Sequence, residues 1–404
     1  MHWNLILKAF GWMLAGIFFI TSTTNAGGIP VRSAAPPSSG HGFALALFKA
    51  LCRLQPQANT LTSPVSIYSA LSMTASGARG ATLKAMADVL GVDPYRWAQV
   101  EKQICNYLSQ INQEEGTATL QLANAIWTTG NIPLEDDYVN RMEAQYRAIV
   151  RPLPENDAAG TINGWVSGQT HGKITRIVDQ IDPTLVLLLI NAAYFKDAWQ
   201  TPFPIEDTTQ GPFFLDDEDT LPADYMSRQG WFAYLAAKGL KAIKIAYQDP
   251  RFCMLVVLPP SNMKLEAFID TLTPAMIDGW RRRMNRCEGR VVLPRFQLQT
   301  GCSLRKPLIK IGMGTAFNVE KADFSGITPS RPFAISDVEH HCFLKVDEAG
   351  SEAAAVTAVK MFGSALPSSS PFEFIVNRPF LCLIEDQSAG QILFMAAVYR
   401  PESP

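Results

Sequence analysis

Apolar positions along the chain follow a helical period first and a strand period later. In "GFALALFKALCRL" (42–54) they fall on one helix face, and "SPVSIYSALSMTASGARGATLKAMADVLGV" (63–92) opens on a Ser-Pro start signal and ends at a Gly. Further helices are predicted near 95–112, 136–147 and 158–170. From about residue 118 strand-like runs take over: "TATLQLANAIWTT", "LVLLLINAAYF", "MLVVLPP", "RVVLPRFQLQT", "HCFLKVDE", "FEFIVNRPFLCLIED" and "QILFMAAVYRP". The run at 185–195 holds about 11 apolar residues where a bilayer needs roughly 20, so it is predicted as a buried central strand. Helices prevail in the first half and strands in the second, with neither an internal repeat nor a dividing linker. That order predicts an α+β fold in one domain over 42–404.

The N-terminal end has its own pattern. Lys8 precedes an apolar stretch from Ala9 to Ile20, followed by small and polar residues up to Ala26. This predicts a secretory signal peptide over 1–26, with Thr24 and Ala26 at the small-residue positions before the cut, and hence a secreted or periplasmic protein. Residues 27–41, rich in Pro, Gly and Ser, read as a flexible leader. The 404 residues are 47% hydrophobic with a formal net charge of −2, enough for a large core and no invitation to nucleic acid or, after signal cleavage, to a membrane. Cys52, Cys105, Cys253, Cys287, Cys302, Cys342 and Cys382 are odd in number and lack CxxC spacing, so no disulfide framework is predicted. There is no N-x-S/T sequon.

Four stretches invite chemistry and decline it. "GQTHGKIT" (168–175) resembles a phosphate-binding loop, but only three residues separate Gly168 from Gly172, and Ile174 stands where a Ser or Thr would bind magnesium. The five His have no G-x-S-x-G elbow to serve, so no serine-hydrolase centre is predicted. In "HHC" (340–342) neighbouring strand side chains point to opposite faces and cannot converge on one ion, so His340 is read as a hydrogen-bonded core residue. "RRRMNR" (281–286) is read as a solvated helix end, and glycosaminoglycan binding is set aside. No metal, cofactor or enzymatic activity is expected.

"EAGSEAAAVTAVKM" (348–361) is neither a good helix nor a good strand, yet it alternates. Ser351, Ala353, Ala355, Thr357 and Val359 form a set with no charge and nothing larger than Val; Glu352, Ala354, Val356, Ala358 and Lys360 hold both charges. An exposed loop that later becomes a central strand needs this pattern, with the small set packed beneath the sheet and the other facing water. Gly350 supplies backbone freedom where such a loop would hinge.

The chain resembles the serpins, serine protease inhibitors of the suicide-substrate kind, from about residue 42 to 401. "NTLTSPVSIYSAL", "LQLANAIW", "INGWVSGQTHGKI", "LINAAYFKDAWQTPF", "MLVVLPP", "VVLPRFQLQ", "IGMGTAFNVEKADFSGI", "DEAGSEAAAVTA", "VNRPFLCLIED" and "ILFMAAVYRP" match the family's motifs in the family's order. The resemblance implies three β-sheets, eight or nine helices and an exposed reactive-centre loop at about 348–375. It implies that a protease attacks the loop, forms an acyl-enzyme and is carried away as the cut loop enters the large sheet. Carried over residue by residue, the hinge comprises Glu348, Gly350, Ser351, Glu352, Ala353, Ala354, Ala355 and Thr357. Ser63, Ser66, Asn191 and His340 match a hydrogen-bonded shutter beneath the central strands, and Trp199 matches the aromatic at the loop's entry point, where Lys and Glu partners usually help close the sheet. Ala349 and Ala396 depart from the family's usual charged residue and Gly, and neither blocks insertion.

The resemblance implies a cut about 17 residues on, counting Glu348 as the first, which would place the scissile bond between Ser364 and Ala365. A small residue there suits elastase-like or subtilisin-like serine proteases as the covalent partner, while the absence of Arg and Lys between Met361 and Arg378 argues against trypsin-like ones. A monomer is expected. The alternatives are a non-inhibitory carrier or storage serpin, and a cross-class inhibitor of cysteine proteases.

Overall fold

The computed structural model describes residues 40–111, 117–129, 132–154, 156–182, 185–216, 219–329, 333–352 and 371–403. Among them the helices are α1 (Gly40–Leu54), α2 (Pro64–Gly77), α3 (Gly80–Leu90), α4 (Trp97–Ile111), α5 (Asp136–Tyr146), α6 (Ala158–Gln169), α7 (Leu265–Thr271), α8 (Pro274–Arg283) and α9 (Arg305–Leu308). The strands are β1 (Thr60–Thr62), β2 (Thr119–Thr128), β3 (Ile149–Pro152), β4 (Leu187–Ala198), β5 (Thr209–Phe214), β6 (Thr220–Ala237), β7 (Leu240–Ala246), β8 (Phe252–Leu258), β9 (Asn285–Pro294), β10 (Phe296–Ser303), β11 (Asp337–Val346), β12 (Gly350–Ser351), β13 (Phe372–Ile375), β14 (Phe380–Asp386) and β15 (Gln391–Val398).

The predicted helix over 63–92 is two helices. Gly77 packs where a Cβ would lie 2.2 Å from Ile327, and Gly80 takes a φ of 52°. Between them Ala78 and Arg79 are extended, and the Arg79 N–H donates to the Asp323 carbonyl at 2.9 Å. All 14 residues of α2 are buried, as expected of a helix enclosed on every side, and Pro64 at its first position needs no hydrogen-bond partner. The phosphate-loop lookalike is the end of α6 and its turn, where His171 and Gly172 have φ of 51° and 76°.

Strands β10-β11-β4-β2-β3 form one sheet, with β12 attached to β4. The run predicted as a central strand is β4, buried on both faces over nearly its whole length. The other sheet runs β1-β15-β14-β8-β7-β6-β9-β13, with β5 on β6. Two of the three expected sheets are thus continuous, because the 18-residue β6 pairs with β5 over Thr220–Tyr225, with β9 over Tyr225–Tyr234 and with β7 over Ala233–Ala237. α6 and the segment after it cover one face of the β4 sheet, packing Ile162, Val166 and Ile174 on Leu188, Ile190 and Tyr194. α2 lies under the opposite face. The seven cysteines are all unpaired, and no helix among the described residues is long and apolar enough to cross a membrane.

"RRRMNR" is only partly a solvated end. Arg281 reaches back to the buried Glu385 at 2.6 Å and to Asp278 at 2.8 Å, while Arg286 lies over the exposed Trp231 ring, 5.3 Å from its centroid.

Candidate functional site

Strands β11 and β4 meet in the middle of their sheet as parallel neighbours, paired from Asp337↔Leu188 to Phe343↔Tyr194. Polar side chains cross this seam where apolar ones would be expected. His340 Nε2 accepts from the Ser63 backbone N–H at 3.0 Å, and its Nδ1 meets Asn191 Oδ1 at 2.5 Å. Because an amide N–H can only donate, Nε2 must be the acceptor and Nδ1 must carry the proton, which makes the ring neutral. Burial, helped by the neighbouring His341, pushes the His340 pKa down to about 3. Asn191 Nδ2 donates to Asn124 Oδ1 at 2.6 Å and to Ser66 Oγ at 2.5 Å, and Ser63 Oγ donates to the Leu393 carbonyl at 2.7 Å. Ser63, Ser66, Asn191 and His340 are therefore brought together, each completely buried. His341 points to the other face, over Gly301, so the two rings do not converge.

Above Phe343 and Tyr194 the two strands part. The chain turns back through Asp347–Ala349, held by Trp199: its backbone N–H donates to the Ala349 carbonyl and its indole N–H to the Asp347 carbonyl, both at 2.9 Å. Trp199 itself stacks on Tyr247 with centroids 4.6 Å apart. Glu348 accepts from the Thr208 hydroxyl at 2.6 Å and lies 3.6 Å from the Arg295 guanidinium, so the cation is Arg rather than the expected Lys.

Gly350 and Ser351 then pair antiparallel with Ala198 and Asp197, on the edge of β4 that β11 has vacated. Ser351 is fully buried, its hydroxyl 2.6 Å from that of Tyr247. Gly350 is required here for contact as well as for freedom: its φ is 154°, and a Cβ would lie 2.2 Å from the Asp197 carbonyl oxygen. Asp197 is buried beside them, and desolvation raises its pKa.

Ala353, Ala354, Ala355 and Thr357 of the predicted hinge, and Ser364 and Ala365 of the predicted bond, lie outside the described residues. Asn124, Ser69, Tyr247 and Arg295 belong to the site without having been predicted. Asn124 carries the one available signal, a polar residue amid the apolar run of "LQLANAIW"; it passes the network on to Ser69 Oγ at 3.3 Å. Tyr247 and Arg295 carry none, since their role depends on strand contacts across long sequence separations.

A family model described as Serpin (serine protease inhibitor) matches residues 38–401. Human leukocyte elastase inhibitor is 32% identical over 379 residues, covering 90% of this chain and 99% of its own length. Among solved structures, the thermophilic serpin tengpin in its native state superposes with a TM-score of 0.82 at 27% identity, covering 90% of this chain and 93% of its own. Human thyroxine-binding globulin, solved in complex with thyroxine, gives a TM-score of 0.84 over 91% of this chain and 98% of its own, at 24% identity.

Proposed function

The chain belongs to the serpin family, whose members are mostly protease inhibitors rather than enzymes, and we propose that it is a suicide-substrate inhibitor of an elastase-like or subtilisin-like serine protease. The observation that carries this reading is the seated hinge, with Gly350 and Ser351 already paired to β4 at the head of the seam a new strand would enter. Loop insertion is a standard instance of strand addition and of released strain.

The proposed reaction starts when the protease serine attacks the Ser364 carbonyl carbon. The bond to Ala365 breaks, the Ala365 nitrogen leaves as an amine carrying the proton from the protease's base, and Ser364 remains esterified to the enzyme. Freed at one end, the loop extends the strand begun by Ser351 into the seam. The seven paired positions between β11 and β4 separate for it, and the His340–Asn191 bond opens. The uncharged set, from Ser351 to Val359, packs towards α2, and the protease is carried along before water can release it. Export by the signal peptide places this trap outside the cytoplasm.

The test is to mix the mature protein with pancreatic elastase, subtilisin and chymotrypsin in turn, run denaturing gels, and weigh the released C-terminal peptide. A covalent band and a peptide starting at Ala365 are expected. Cleavage by each protease without a covalent band would move the reading to a non-inhibitory carrier.

A further inference from the structure

Glu352 is the first residue of the charged set, which alternation alone would leave facing water. Its side chain is only 10% exposed. It lies on the α6-covered face, opposite Ser351, where its carboxylate forms an ion pair with Lys173 in the turn after α6. The Tyr194 hydroxyl is alongside and has its pKa raised by burial first and by Glu352 second. The second carboxylate oxygen, Oε2, is buried with no hydrogen-bond partner, and the Glu352 backbone is left-handed at a φ of 53°, unusual for a residue with a side chain. Lys173 also lies 5.9 Å from the centroid of the Phe343 ring. Phe343 and Tyr194 are the last pair of the closed seam. One lysine therefore touches both the point where the seam must next open and the residue that must next enter it.

We propose that Lys173, with Tyr194, forms a receiving site for the Glu352 carboxylate that positions the hinge for entry, making Lys173 a positioning residue for trapping. The inference rests on the reading of the chain as a loop-inserting inhibitor. For the strand to grow, Glu352 must pass from left-handed to extended backbone while staying on the α6 face. Its charge would stay largely buried, which is unfavourable unless a partner moves with it, and the long flexible stem of Lys173, 40% exposed, allows that. Entry also relieves the strained φ and gives Oε2 room to find a donor, so the seated hinge is poised to proceed.

The test compares the mature wild type with Lys173→Met, Lys173→Arg and Glu352→Gln, checked for native circular dichroism, against pancreatic elastase. Lys173→Met is expected to raise the number of inhibitor molecules consumed per protease roughly tenfold, as loss of a charge-assisted hydrogen bond from one of two competing steps would do. The rate of loop cleavage should stay the same, Lys173→Arg should recover most of the loss, and Glu352→Gln should resemble Lys173→Met. Unchanged consumption by Lys173→Met would overturn the proposal. If the wild type is cleaved without a covalent complex, the inhibitor reading fails separately, and the clasp is then judged by how fast the cleaved protein gains thermal stability. A slower gain in Lys173→Met supports it, and an equal rate, or no gain in either protein, overturns it.

Discussion

The lower seam and its head join the same two regions of sheet by opposite means. Below Tyr194, β4 and β11 are locked by seven backbone pairings and a neutral, fully buried network through His340, Asn191, Ser66 and Asn124. Above it the strands have separated, and the gap is held by a two-residue wedge, an aromatic stack and charged groups at Glu348 and Glu352. A network without charge opens and recloses with no ion to desolvate, whereas the ion pairs fix where opening begins. Under the proposed insertion, closure and readiness to open fall to separate chemistries.

The largest effect should come from forcing the two regions to stay apart. Thr357→Arg puts a charge into the uncharged set, and burying it unpaired costs several kcal/mol. Cleavage by elastase should continue at its normal rate while the covalent complex, measured on denaturing gels, disappears.

The lower seam is broken next through its histidine. Because the folded pKa of His340 is about 3, the unfolded chain takes up a proton first as pH falls below its ordinary value of about 6.5. Stability is therefore complete above that pH and is lost by about 1.4 kcal/mol per unit as pH falls towards 3. Thermal unfolding against pH should show this slope in the wild type and a flatter one in His340→Phe. At pH 7.5 the same variant should be about 2–3 kcal/mol less stable, since the Ser63 N–H and the Asn191 carbonyl lose their partner.

Two smaller changes sharpen the head. Ser351→Ala removes the hydroxyl contact with Tyr247 and should reduce thermal stability by about 1 kcal/mol. Arg295→Gln loosens a partly exposed 3.6 Å pair and should change it by less than about 1 kcal/mol, with the difference vanishing in high salt.

Much of this was legible before any contact was known. His340 reads as a hydrogen-bonded core residue inside a strand run, Asn191 is reached through the family resemblance, and the alternation after Gly350 shows in residue size alone. What stayed hidden depends on long-range contact. His340 and Asn191 are 149 residues apart in sequence, and no local signal ties Tyr247 to Ser351. Gly350 reads as flexibility until the carbonyl of Asp197 is found in the space of its missing Cβ. Glu352 reads as solvent-facing because the alternation separates two faces of a strand without telling that α6 covers one of them. Lys173 sat in plain view inside the false phosphate loop, where its neighbours drew attention to the wrong ligand.

In the proposed mechanism the loop completes the sheet by entering between β4 and β11. The most direct measurement is the melting temperature of the mature protein before and after its loop is cut by a protease that leaves the rest of the chain intact. A new central strand with about ten net-favourable hydrogen bonds should raise it by roughly 10 °C or more. An unchanged or lower melting temperature in the cleaved protein would exclude insertion of the loop between these strands.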